Sequence, residues 1–407
     1  VAVQTPDVLT THFPVTRPAA LVRLAQFVPG AGAAYASGRN HDHGPGHHDT
    51  VSRLSAAITR RTLSEAEVLA LVVRRHGNAA ESFVREVFWR TYFRGWLEAR
   101  PAVWQNWLGS LDRIDARLAH DDTLAAQHLA AVRGETGIDC FDHWMNELAT
   151  TGYLHNWSRM QVASIWIFTL GLPWELGARH FMASLIDGDA ASNTLSWRWV
   201  AGLHTAGKAY LADGSRISRM TGGRFTPTWL ATEARIPDGT PNPKAEPPRQ
   251  TIAVNAGVST LLWITPQDCS LETEAALATL PVKGVAIIDD GAPPVGHGAQ
   301  ADWFATGDAL DRASAQWQVP GHRVADVNAL AALATELGVQ QVVTARIGVG
   351  PGTDRLIAAR AALRRSGIAL CEHSRQWDRA AWPHATRGFF ALKEQIPPLL
   401  ATAGLAD

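Results

Sequence analysis

Through about residue 225, apolar positions recur at helical spacing, and the chain reads as mostly helical. Residues 17–35 carry that spacing after a Thr-Arg-Pro start. Ser64-Glu65-Ala66-Glu67 is a capping box that opens a helix through Val73. Residues 80–100 predict a long aromatic-rich helix stopped by Pro101. Residues 141–150 predict a helix closed by Thr151-Gly152. Two more helices, 155–170 and 174–186, are separated by Gly171-Leu172-Pro173.

Periodicity then fades. Residues 226–250 are rich in proline and read as a linker. Beyond it the pattern becomes short runs of Val, Ile and Leu at 260–264, 284–289, 341–344 and 368–372. Ala-rich helical stretches at 271–280, 327–337 and 353–366 lie between them. Alternating strands and helices imply a parallel sheet covered on both faces. Gly348-Val349-Gly350-Pro351-Gly352 lacks the Lys-Ser/Thr of a phosphate-binding P-loop and reads as a turn after a strand. The expected division is a helical domain over 12–225, a linker over 226–250 and an α/β domain over 251–407.

Composition bounds this picture without changing it. The chain has 407 residues, enough for more than one core. Its 46% hydrophobic and 18% charged residues are those of a folded, water-soluble protein. Net charge is −1, so any nucleic-acid surface must be a local patch. No apolar run is long enough for a membrane helix, and the first residues show neither the basic nor the apolar region of a secretory signal. Three scattered cysteines suggest neither a disulfide framework nor a four-thiolate cluster. A cytoplasmic monomer is expected.

The candidate chemistry lies in the helical part. Glu86, Trp89 and Arg90 fall at i, i+3 and i+4 and share a helix face. They read either as a surface Glu86–Arg90 pair beside a core tryptophan or as a pocket that recognises a base, with the arginine meeting a phosphate. Asn156, Arg159 and Met160 share another face. Asp187 and Asp189 follow an expected helix C-terminus, where the helix dipole disfavours acids, so each calls for a specific partner. Arg159 is the expected partner, as a buried pair. An EF-hand starting at Asp187 would need a glutamate where Arg198 stands, so that reading fails. If a short helix continues, Asn193 lies one turn beyond Asp189. Tyr35 and the hydroxyl-rich run Thr50-Val51-Ser52-Arg53-Leu54-Ser55 form a further group, read as a phosphate loop or as a plain N-cap. His41-Asp42-His43-Gly44-Pro45-Gly46-His47-His48 invites a zinc reading, but its Gly and Pro make a flexible loop, and no metal site is expected.

These groups, in this order, resemble the photolyase/cryptochrome family over about residues 12–225. The family has a Tyr, then Thr-Ser-x-Leu-Ser; Tyr35 and Ser52, Leu54 and Ser55 match, with Val51 for Thr. It has Glu-x-x-Trp-Arg, matched by Glu86, Trp89 and Arg90. It has Thr-Gly-Trp-Met-His-Asn-Arg-x-Arg-Met, matched from Thr151 to Met160 with Tyr153, Leu154 and Trp157 as replacements. It has Asp-Gly-Asp-x-Ala-x-Asn, matched by Asp187, Asp189, Ala191 and Asn193, with Trp197 and Trp199 following.

The resemblance implies an all-helical domain holding a U-folded, noncovalent FAD. Tyr35, Ser52, Arg53, Leu54, Ser55 and Arg90 would hold its diphosphate. Asp187 and Asp189 would lie near ribose and isoalloxazine, with Arg159 pairing Asp187 and Asn193 facing N5. Glu86, Trp89, Asn156, Met160 and Trp199 would meet a flipped pyrimidine dimer. Trp174 and Trp197 would begin an electron relay. Its third position falls near Asp121, so Trp104, Trp107 or Trp166 would have to serve instead. The activity implied is light-dependent repair of cyclobutane pyrimidine dimers in damaged DNA, single-stranded DNA included; the alternative is a cryptochrome-like photoreceptor or another non-repair flavoprotein. Trp157 replaces an arginine expected at DNA phosphate. The α/β part would be either a permuted antenna-like domain or an unrelated fusion, and a second antenna chromophore is left undetermined.

Overall fold

A computed structural model describes residues 12–239 and 241–405. The first part of the chain is helical. α1 (Arg17–Phe27) and α2 (Ala33–Gly38) are separated by a 3-10 turn at Val28–Gly30. The single helix expected over 17–35 therefore breaks at Pro29, which cannot donate a backbone hydrogen bond. α3 (Ser55–Thr59) is short. α4 (Glu65–His76) opens on the capping box: Glu67 N donates to Ser64 Oγ at 3.3 Å, and Ser64 N donates to Glu67 Oε2 at 2.9 Å.

α5 (Glu81–Glu98) is the axis of the helical core, burying Phe88, Tyr92, Trp96 and Leu97. α6 (Ala102–Leu118), α7 (Asp122–Arg133) and α8 (Asp139–Thr151) follow. Gly152 ends α8 at φ 68°, and a Cβ there would stand 2.5 Å from the His297 ring, so both conformation and proximity demand glycine. α9 (Asn156–Ser164) runs into one π-helical turn, Ile165–Thr169. α10 (Trp174–Ser184), α11 (Ala190–Val200) and α12 (Gly214–Met220) complete this part.

Apart from the undescribed Thr240, residues 226–259 form no helix or strand. They lie along the helical surface: Ala231 N donates to Thr169 Oγ1 at 3.1 Å, and Glu246 N donates to Ala99 O at 2.8 Å.

A five-stranded parallel sheet follows, in the order β3-β2-β1-β4-β5. Its strands are β1 (Thr260–Trp263), β2 (Val282–Ile288), β3 (Gly321–Val324), β4 (Gln341–Ala345) and β5 (Ala369–His373). Leu262, Val285 and Val343 point to one face, under the alanines of α13 (His297–Trp317). Leu261, Ala286 and Val342 point to the other, under α14 (Val327–Glu336) and α15 (Gly352–Arg365). Burial on both faces explains the continuous apolar runs.

Three expectations are corrected here. The helix foreseen over 271–280 is two single 3-10 turns. Glu274 is extended there, held by Arg375 at 2.7 Å and by His373 at 2.7 Å. β3 escapes the pattern because Gly-His-Arg-Val is an edge strand with no apolar run. The chain after β5 leaves the sheet: α16 (Gln376–Ala381), α17 (Phe389–Lys393) and α18 (Ile396–Thr402) put Ala381, Phe389, Leu392 and Leu399 into the helical core. Trp377 Nε1 donates to Thr91 Oγ1 at 3.0 Å, and the Trp382 ring packs where a Cβ on Gly95 would stand.

All three cysteines are free and buried. Among the described residues no helix is long and apolar enough to cross a membrane.

Candidate active site

The run before α3 is shaped by its backbone. Arg53 adopts φ 57°, Leu54 N donates to Ser52 Oγ at 3.3 Å, and the buried Arg23 ties down the carbonyls of Ser52 at 2.8 Å and Val51 at 2.9 Å. Tyr35 sits between the rings of Phe27 and Phe83, at 5.8 and 5.3 Å. Burial, with the nearby Glu86 carboxylate, raises its phenol above its usual value.

Glu86 pairs with Arg39 across the gap from α2, not with Arg90. The Glu86–Arg90 surface pair is thereby corrected: α5 turns the two side chains toward different partners. Arg90 pairs with Glu65 and donates to Thr59 O at 3.0 Å. Burial, and then the neighbouring Arg94, lower the Arg90 pKa to about 10. For Glu65, burial opposes ionisation, but Arg61, Arg90 and Arg94 outweigh it and hold the carboxyl at about 2. Arg61 completes this cluster, reaching Glu65 at 3.1 Å and Asp378 of α16 at 2.6 Å.

Arg159 and Asp187 form the expected pair at 2.9 Å, and Arg159 Nε also donates to Leu154 O at 2.7 Å. The second oxygen of Asp187, Oδ1, is buried without a partner among the described residues. Asp189 is not at a helix end that disfavours acids. It is the N-cap of α11, accepting from Ser192 N at 2.7 Å, where an acid is favourable. Asn193 follows one turn later, buried, its amide donating to Ala178 O at 2.8 Å.

The base-side residues are less gathered. Asn156 is exposed at the start of α9, while Met160 and Trp199 are half-buried. Trp199 lies 5.6 Å from Tyr210, whose hydroxyl accepts from Gln161 at 2.7 Å. Trp89 stacks face to face on Phe389 of α17, with ring centres 3.7 Å apart and planes at 8°. One of its two faces is therefore covered.

Among the relay candidates, Trp197 is buried with its edge to Trp166 at 6.1 Å, and Gly177 leaves the room its ring needs. Trp174 is buried too, and Trp104 and Trp107 pair at 4.7 Å. Trp157 is a core residue, edge-on to Trp144 at 6.2 Å.

In the His-rich loop, Asp42 turns inward to accept from Trp144 Nε1 and Ser158 Oγ, both at 2.8 Å, and His48 meets Glu147 at 2.8 Å. Among the described residues no group of His, Cys, Asp or Glu is arranged to hold a metal ion.

Sequence reasoning missed Arg39, Glu65 and Phe389. The Arg61-Glu65 spacing of four residues was a local signal for part of the cluster. Nothing local marks Phe389, which meets Trp89 from across the chain.

Residues 83–251 match the family model for the FAD binding domain of DNA photolyase. Through this region the chain is similar to the FAD binding domain of DNA photolyases. The chain is 37% identical to a deoxyribodipyrimidine photo-lyase of Streptomyces griseus over 179 residues, covering 42% of this chain and 37% of that protein. It is 29% identical to the Escherichia coli deoxyribodipyrimidine photo-lyase over 241 residues, covering 56% of this chain and 49% of the relative. It thus spans less than half the length of these curated relatives. A crystal structure of a bacterial class III photolyase from Agrobacterium tumefaciens aligns with 29% identity and a TM-score of 0.45, over 54% of this chain and 46% of the other.

Proposed function

We propose that this chain binds FAD and uses blue light to split cyclobutane pyrimidine dimers in damaged DNA. The observation that carries the reading is the Arg159–Asp187 pair: a buried carboxylate with one oxygen engaged and the other, Oδ1, without a donor. Most buried polar atoms are satisfied by a partner, a ligand or water; Asp187 Oδ1 is one of several here with no partner among the described residues, and it is the one on a carboxylate where a flavin is expected. The residues fit a flavin, whose ring and ribose offer donors to such an oxygen. When bound, FAD supplies light absorption and one-electron chemistry.

The chain's own groups would orient it. Tyr35 and the Ser52–Leu54–Ser55 backbone would flank the diphosphate, with Arg53 beside them. Arg90, set by Glu65, brings positive charge. Asp189 fixes the start of α11, so that Asn193 is presented from a rigid turn; an amide there can donate or accept, which suits a ring nitrogen that changes protonation. Glu86, held by Arg39, would hydrogen-bond the pyrimidine, and the free face of Trp89, with Asn156, Met160 and Trp199, would wall the flipped bases. Trp197, Trp174 and Trp166, all buried, would form the inner part of an electron relay.

A cryptochrome-like role, signalling without repair, is the second reading. The Phe389 ring on Trp89 favours it, because that stack takes surface a lesion could use.

Blue-light incubation of the FAD-loaded, reduced protein with a thymine-dimer oligonucleotide separates the two. Loss of the dimer is expected. Full retention of the dimer with reduced flavin present would sink the lyase reading and leave the sensor.

A further inference from the structure

A cavity of about 230 Å³ lies between the helical part and the sheet. On the sheet side it is framed by the loops after β1 and β4. These neighbours mark where the strand order reverses, since β2 and β3 extend one way from β1 and β4 and β5 the other. Crevices at such a switch point, outside the carboxyl ends of the strands, are where open parallel sheets bind ligands.

Three residues lining this space each carry a buried polar atom with no hydrogen-bond partner among the described residues: Arg94 Nη1, Thr265 Oγ1 and Trp382 Nε1. Arg94 and Thr265 are each only 6% exposed. A buried group left without its hydrogen bond is costly, and more so when it is charged. All three can donate, so together they call for an acceptor. The acids on the same walls are engaged already. Glu98 accepts from Arg346 and from Val349 N, both at 2.9 Å; Asp302 accepts from Arg60 at 2.7 Å; Asp189 accepts from Ser192 N at 2.7 Å.

The backbone adds to this. The glycine-rich turn 348–352 borders the cavity and leads into α15, a 14-residue helix whose first turn no side chain caps. Gly350, at φ 151°, approaches α11 so closely that a Cβ would stand 2.8 Å from the Ala190 Cβ. A helix N-terminus carries partial positive charge; in this one Thr353 N already donates to Gly350 O at 3.1 Å and Asp354 stands in the first turn, so the helix start is the lesser contributor beside Arg94. Arg94 is also among the cations that hold the Glu65 and Asp189 carboxyls low, so part of its charge is balanced already, while its Nη1 has no hydrogen-bond partner among the described residues.

We propose that this cavity binds a small oxyanion-bearing molecule, a phosphate ester or a carboxylate, held by Arg94, Thr265, Trp382 and the first turn of α15. The volume falls below the roughly 300 Å³ at which drug-sized pockets begin, which suits a small acid rather than a flavin or dinucleotide. Asp189, placed near the flavin in the proposed function, also lines this cavity, so the two sites would adjoin; anion binding does not require that the flavin be bound.

The test is calorimetric titration of the full chain with inorganic phosphate and, separately, with succinate, each with and without saturating FAD. Saturable binding that persists in the presence of FAD is expected, and the anion that binds tells phosphate from carboxylate. Arg94→Gln should weaken it about tenfold or more, and Thr265→Val roughly fivefold, as expected for a charged and a neutral hydrogen bond. Circular dichroism and melting verify that the variants fold. If Arg94→Gln does not fold, Thr265→Val decides alone. Absence of saturable binding for both anions overturns the proposal. So does binding that FAD abolishes, or binding unchanged in the folded variants.

Discussion

Arg61, Glu65, Arg90 and Asp378 form one buried charge cluster in the helical core; Arg159 and Asp187 form another. In the first, every carboxylate oxygen accepts from a guanidinium, and one of the acids comes from α16, at the far end of the chain. In the second, one carboxylate oxygen is engaged and the other is left over. The same residue types thus do two jobs. A closed cluster spends its charges on architecture, here fastening the C-terminal helices to α4. An open one keeps an acceptor for something the chain does not supply. Arg90 belongs to the closed cluster, and its position is set by Glu65 and the Thr59 carbonyl rather than by a ligand.

Cutting the closed cluster should have the largest effect. Asp378→Ala leaves the buried Arg61 with half its counter-charge. Breaking a buried pair from one side costs about 3–5 kcal/mol. Urea unfolding should show a loss near the lower figure, because Glu65 remains. The folded fraction should still take up FAD. If flavin is lost while stability is kept, the assignment of the two clusters is reversed.

Acid should take the two regions apart in sequence. His155, which precedes α9 and so Arg159, is lowered by burial to about 4. A histidine whose folded pKa lies below its unfolded value stabilises fully above about pH 6.5, and that contribution is lost as pH falls through about 4. The shift corresponds to at most about 3 kcal/mol. Glu65, at about 2, keeps its contribution down to about pH 4.5 and loses it only below. Urea midpoints measured from pH 7 to 4 should therefore decline before the closed cluster titrates. His180 and His204 are also lowered to about 4 by burial, so the control is His155→Asn. A slope unchanged in that variant assigns the decline to the other two.

The open pair is a milder target. Asp187→Asn keeps the shape, but its hold on Arg159 weakens, at roughly 1–3 kcal/mol for a charged hydrogen bond. The FAD dissociation constant, read by flavin fluorescence, should rise about tenfold. Unchanged affinity would mean that the free oxygen does not face the flavin.

How much of this could be read from residues alone follows the distance along the chain. The capping box, the stop at Pro101, the αL glycine at 152 and four of the five strands are local matters, and their ranges come within a few residues of the observed ones. The Arg159–Asp187 pair is legible because a buried acid demands a cation and few are near in sequence; the helix-end argument does not hold for Asp189, which is an N-cap. The partner of Glu86 was not, because helical spacing offers Arg90 while the fold brings up Arg39 from another helix. α13 was missed although it has 21 residues, since its buried side is mostly alanine and its periodicity is faint. The return of 376–402 to the helical core depends on contacts such as Trp377 with Thr91, which no periodicity encodes.

The smallest effect expected is at Phe389, and it bears on whether the base side resembles the open pair or the closed cluster. Phe389→Leu keeps most of the buried apolar surface but removes the stack on Trp89, worth about 0.5–1.5 kcal/mol. Stability should fall by about 1 kcal/mol. If Phe389 is architectural, it props Trp89 from one side and leaves the other for a base, so affinity for a dimer-containing oligonucleotide should weaken slightly with the loss of that support. If instead affinity tightens, the phenyl ring occupies the place of the base. Trp89 would then be closed by the C-terminal helices as Arg61 is closed by Asp378, and the sensor reading would gain over the lyase.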